Sequence, residues 1–168
     1  MKKILFMLLF SIGAMAQPYI SASLDGRNAT IGSEPTNNKS EIDLLFRFGA
    51  IGTAGIGKNV KVGIVYEKFN AIEFNKYDVE VGYTFKVFKL DVHTSLEAGW
   101  IERFKLNYWT AGTNIDLIYF INENIGIMLT NNLSARTDLN AIYGGENYKF
   151  SNYIGIIYRF KNPSNYQL

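Results

Sequence analysis

The chain has 168 residues, with 17 Lys and Arg against 15 Asp and Glu, one His and no Cys. That length holds one domain, and the lack of cysteine excludes a disulfide framework and an acylated-cysteine anchor. Setting aside Lys2 and Lys3 removes the net charge of +2, and a neutral chain without a clustered basic face is not built to hold nucleic acid.

Those two lysines open a secretory signal over residues 1–16. They precede the apolar run Ile4 to Phe10 and the small-x-small triplet Ala14-Met15-Ala16, the pattern of an export signal cleaved before Gln17. The run is well short of the roughly 20 residues a spanning helix needs. The mature domain is then 17–168, where the longest apolar runs are a few residues, such as Leu117 to Ile121.

Read with a period of two, the mature chain divides into eight strand-like segments. Tyr19 to Asp25 is the weakest, with Ile20, Ala22 and Leu24 on one face. Glu41 to Ile51 sets Ile42, Leu44, Phe46, Phe48 and Ala50 against Asp43, Arg47 and Gly49. Val60 to Phe69 sets Val60, Val62, Ile64 and Tyr66 against Lys61, Gly63 and Glu67. The clearest alternation runs from Tyr77 to Val87, where Asp78, Glu80, Gly82, Thr84 and Lys86 form the second face. Leu90 to Arg103 follows, with Leu96, Ala98 and Trp100 opposite His93, Ser95, Glu97 and Gly99. The sixth segment, Asn107 to Ile121, places Asn114 and Asp116 opposite Trp109, Ile115, Leu117 and Tyr119. The seventh starts at Ile125, and the eighth is "YKFSNYIGIIYRF", Tyr148 to Phe160, whose apolar face is interrupted only by Asn152.

Two arrangements satisfy such faces. Apolar faces turned inward give a soluble sandwich or a lipocalin-like, ligand-binding cup. Apolar faces turned outward give a barrel in lipid. The second is favoured because aromatics gather near segment ends, as interfacial girdles do. Gly49, Gly63, Gly82, Gly99, Gly112, Gly126 and Gly155 all fall on the other face, where a narrow interior needs small residues beside large ones. The expected fold is therefore all-β, an eight-stranded antiparallel up-and-down transmembrane β-barrel with both termini at one end.

The last strand, with Ile154, Ile156 and Tyr158 at alternate positions before Phe160, is similar to the terminal assembly signal of bacterial outer-membrane proteins. With the export signal and eight strands, the mature chain resembles the small outer-membrane barrels of the OmpA/OmpX type. It departs from them in the tail "KNPSNYQL", which follows the aromatic. The resemblance implies an outer-membrane location, contact with membrane lipid and lipopolysaccharide, insertion by the barrel-assembly machinery, and a monomer.

Inside so narrow a barrel side chains fill the space. Arg47, Glu67, Glu80, Glu97 and Asp116 are expected at mid-height as an interior polar network, since buried charges must be paired. His93 and Ser95 resemble the His-x-Ser pair of barrel lipid A deacylases, but they face inward, low in the barrel, and no catalytic role is assigned. A single histidine without cysteine supports no metal site, and no cofactor is expected. The polar loops 26–40 and 138–147 are where surface ligands or adhesion contacts would fall. The functional expectation is a plugged outer-membrane barrel with a structural or surface-interaction role, the rival being small-molecule or ion passage.

Overall fold

Eight antiparallel strands close into a barrel in the computed structural model, which describes residues 16–25, 42–53, 57–69, 73–144 and 148–160. In chain order they are β1 (Ala16–Asp25), β2 (Asp43–Gly52), β3 (Val60–Phe69), β4 (Phe74–Val87), β5 (Leu90–Arg103), β6 (Leu106–Phe120), β7 (Ile125–Ala135) and β8 (Tyr148–Arg159). Each pairs with its sequence neighbour, and β8 returns to β1. This is the architecture the alternation implied. The signal residues 1–15, the loop 26–41 and the tail 161–168 lie outside the described residues.

Two boundaries differ in an informative way. The fourth strand begins at Phe74 rather than Tyr77, because Phe74 and Lys76 turn inward around a half-exposed Asn75 and extend the alternation ahead of the expected segment. Residues 138–147, read as polar loop, contribute most of a short helix, α1 (Thr137–Tyr143). It ends where Gly144 adopts φ 66° and its N–H donates to the Asn140 carbonyl at 2.9 Å, a left-handed cap that glycine takes without a Cβ clash.

The apolar faces point outward. Ile64, Val79, Leu96 and Ile154 are 57–71% exposed, while Arg47, Lys61, Glu80 and Asp116 are at most 3% exposed. A lipocalin-like cup needs the reverse, so that alternative falls. This inside-out distribution is that of a transmembrane β-barrel.

The register sets the geometry. Ala22 lies opposite Phe46, and the row continues through Tyr66, Tyr77 and Trp100 to Trp109 on β6. In the other direction Ala22 leads through Ile156 and Ile127 to Tyr119, also on β6 and ten residues from Trp109. A stagger of ten across eight strands tilts them by roughly 41° and gives a radius of about 8 Å. The row climbs about 3 Å per strand, so Tyr119 and Trp109 are separated by about 25 Å along the barrel axis, the height of a bilayer-facing apolar band. Tyr83, Phe85 and Tyr158 lie within about 4 Å of the Tyr119 level, and Trp100, Tyr148 and Phe150 within about 4 Å of the Trp109 level. Two aromatic girdles thus bound the belt. The rings of the climbing row stack, with centroids 6.4 Å apart for Phe46 and Tyr66, 5.1 Å for Tyr66 and Tyr77, and 5.6 Å for Tyr77 and Trp100. Each such pair adds about 0.5–1.5 kcal/mol beyond area burial.

Candidate functional site

The described interior is packed with ionic and polar side chains in two groups. Nearer the end that carries the chain termini, Arg47 Nη1 is 2.7 Å from Asp116 Oδ1, and Lys61 Nζ is 3.1 Å from Asp116 Oδ2 and 3.0 Å from Glu80 Oε2. Thr130 donates to Asp116 at 2.8 Å, and Ser95 to Glu80 at 3.2 Å. Two cations face two carboxylates, so the charges match.

Tyr19 locks this group by a device written in the register. Tyr19 lies opposite Gly49, Gly49 opposite Gly63, and Gly63 opposite Glu80. With no side chains on the two intervening strands, the ring reaches across them and its hydroxyl donates to Glu80 Oε1 at 2.7 Å. A Cβ on Gly49 would stand 2.6 Å from that hydroxyl oxygen, and one on Gly63 would stand 2.9 Å from Glu80 Oε1. These glycines are required by close approach rather than by backbone conformation.

Toward the far end, Lys76 Nζ sits 2.6 Å from Glu97, 3.1 Å from Asp78 and 3.5 Å from Glu67. Asn114 and Asn132 each donate to Glu97 at 2.7 Å. Tyr153 donates to Glu67 at 2.9 Å. Here one ammonium meets three carboxylates, leaving the upper interior acidic.

The residues expected as one mid-height network are therefore all buried, but they divide. Arg47, Glu80 and Asp116 belong to the lower group, and Glu67 and Glu97 to the upper. Sequence reasoning left out the lysines that hold each group together. The alternation sets Lys61 inward without assigning it a role, and Lys76 stands just ahead of the expected fourth segment; carrying the alternation back from Tyr77 turns Lys76 inward.

Both ends of the described interior carry other chemistry. At the terminal end, Tyr19, Ile51, Ile118, Met128 and Ile157 form an apolar cluster. Outside it opens a cavity of about 480 Å³, lined in part by Lys86, Asp91, His93 and Arg159. His93 is buried there with Nδ1 unpartnered, and the Ser95 hydroxyl is engaged by Glu80. The two share no hydrogen bond among the described residues, so no nucleophile–base pair is formed.

At the far end, α1 is pinned over the barrel by Asp138. Arg136 donates to its carboxylate through Nε at 2.8 Å and Nη2 at 2.7 Å, and Arg103 through Nη1 at 3.2 Å. Burial pushes the Asp138 carboxyl up, but the Arg136 hydrogen bonds and the charges of Arg136 and Arg103 outweigh it and hold the group below the usual carboxylate range. Arg136 also lies over the Phe74 ring, 4.5 Å from its centroid.

Ile154, Ile156, Tyr158 and Phe160 are exposed at the outer surface of β8 and just beyond it. Of the two loops expected to carry surface contacts, 26–40 lies outside the described residues, as do 145–147 of the second.

A closed eight-stranded sheet with an apolar exterior and a charged interior defines a transmembrane β-barrel of the smallest size class. Among solved structures, the N-terminal β-barrel domain of Pseudomonas aeruginosa OprF is similar to it with a TM-score of 0.56 at 12% identity, covering 87% of this chain and 98% of that one. A de novo designed transmembrane β-barrel aligns at TM-score 0.48 and 16% identity over 86% of this chain and 95% of its own. Neisserial surface protein A aligns at TM-score 0.41 and 12% identity over 88% of this chain and 97% of its own. At such identities the likeness is one of fold. No family model and no curated protein matches the sequence.

Proposed function

We propose that the protein is exported to the outer membrane of a double-membraned bacterium and serves there as a closed, rigid barrel that presents its far-end loops at the cell surface. The apolar belt of about 25 Å between two aromatic girdles, wrapped around a charge-paired interior, carries this reading. Lipid and the acyl chains of lipopolysaccharide cover the outer wall. The assembly machinery reads Ile154, Ile156, Tyr158 and Phe160. The ionic groups act as a plug, and in the lower one truncating Asp116 or Glu80 leaves Arg47 and Lys61 sharing a single buried carboxylate. The Asp138 lock fixes Arg136 and the short helix Thr137–Tyr143, and a rigid base is what a binding loop needs.

Deleting residues 28–38 tests the surface role. Cell or ligand binding, or adhesion, should fall while planar-bilayer conductance stays at baseline; a conductance change with binding intact would sink the reading. A second reading, cation passage, is favoured by one specific observation, the three carboxylates gathered around Lys76. It requires steady single-channel currents from the unmodified protein whose reversal potential moves when Lys76 is replaced by Gln.

A further inference from the structure

Between its girdles the outer wall is apolar except at a few positions. Thr94 turns its hydroxyl toward the Tyr83 carbonyl at 3.5 Å, and Asn75 lies near the far rim, where it accepts from the Tyr66 hydroxyl at 2.9 Å. Lys68 is close to the same rim, within reach of headgroups for its flexible stem. Thr113 on β6 is exposed near mid-belt and carries a single hydroxyl, small enough to turn to a strand carbonyl as Thr94 does. Asn131 and Asn152 differ. Asn131 on β7 and Asn152 on β8 alternate with buried neighbours, so both face outward, and they are direct register partners. The register sets them about 13 and 16 Å above Tyr119, the middle of the belt. Each is half-buried, and neither carboxamide has a hydrogen-bond partner among the described residues. A carboxamide carries two donors and an acceptor, and hydrocarbon offers none in return.

We propose that this wall of β7 and β8 is the contact between two copies of the chain in the membrane. The occupant must supply donors and acceptors at mid-membrane depth, which lipid tails cannot. A second copy supplies them. Parallel barrels related by a twofold axis along the membrane normal bring equal depths together, so Asn131 of one meets Asn152 of the other, and carboxamides are self-complementary. Leu129, Leu133, Phe150 and Ile154, all exposed, surround the pair with apolar surface. The opposite wall presents Phe46, Tyr66 and Val79 at these depths, with the Tyr66 hydroxyl already donating to Asn75, and offers no such match. Interchain hydrogen bonding by asparagine is an established source of association within bilayers. The inference departs from the monomer implied by the sequence resemblance, and it rests on the bilayer placement proposed above.

The chain lacks cysteine, which makes cross-linking direct. Single variants Leu133→Cys, Phe150→Cys and Val79→Cys are refolded into phosphatidylcholine vesicles and oxidised. The first two should give disulfide-linked dimer and the third should not. Adding Asn131→Leu with Asn152→Leu should lower the dimer yield at least about fivefold. Leucine suits a lipid-facing strand, and a boiling-dependent shift in gel migration reports folding of every variant independently. Equal yields at the three positions, or undiminished cross-linking in the leucine double variant, would overturn the contact. A wild-type chain that shows no such shift in gel migration would overturn the bilayer placement itself.

Discussion

Replacing Asp116 with Asn keeps the shape of the side chain, removes its charge and turns one of its two accepting oxygens into a donor. Asp116 holds Arg47 at 2.7 Å and Lys61 at 3.1 Å, and each of these side chains is at most 1% exposed. Two cations would then share Glu80, which lies 3.0 Å from Lys61 and 3.8 Å from Arg47. Stranding a charge in this way costs about 3–5 kcal/mol. With a urea slope of about 2 kcal/mol/M, the unfolding midpoint in lipid vesicles should fall by about 1.5–2.5 M. Trp100 and Trp109, on the outer wall, report the transition by fluorescence as they leave lipid. Adding Lys61→Met removes the surplus cation and leaves Arg47 with Glu80, so the double variant should recover at least half of the loss. A loss below about 1 kcal/mol for Asp116→Asn, or a double variant no better than the single, would refute the claim that charge matching holds this interior.

Gly49→Ala should lower stability by about 2 kcal/mol, because the added Cβ displaces Tyr19 from Glu80. Tyr19→Phe should cost less in that background than alone, and strictly additive losses in urea titrations would contradict the arrangement. The Asp138 lock is acid-sensitive. Its folded-state carboxyl titrates below the ordinary value of about 4, so its stabilising contribution is full above that pH and is lost as pH falls through the lower folded value. Amide exchange across Thr137–Tyr143 should accelerate below about pH 4 while β4 and β5 stay protected. Asp138→Asn should show the faster exchange already at pH 7, and unchanged protection in that variant would be the contrary result.

Strand identity was legible because one physical requirement, an apolar face against lipid, repeats at every second residue from Ile42 to Tyr158. Where that requirement lapses, so did the reading. Lys76 sits among Asn75 and Glu73, which resemble a loop by composition, yet three interior carboxylates give it a reason to lie in a strand. Helix α1 spans seven residues, too few to display a helical period, and its ordering depends on Arg103 and Arg136 meeting Asp138 from β5 and from the end of β7. The division of Arg47, Glu80 and Asp116 from Glu67 and Glu97 depends on stagger between strands, a property of barrel closure that no single segment encodes. The glycines were read as an interior feature, but the seat they form for Tyr19 appears only when β1 through β4 are placed side by side. Asn152 stood out as a break in an apolar face, and its partner Asn131 became visible through the register.

The central claim is that the outer wall is made for lipid. The most direct test is electrophoretic migration of the mature chain folded in detergent, with and without boiling, beside the same chain in water alone. A folded band that shifts on boiling, together with aggregation when detergent is absent, is the result predicted. A β-rich monomer that stays soluble in water without detergent would contradict it.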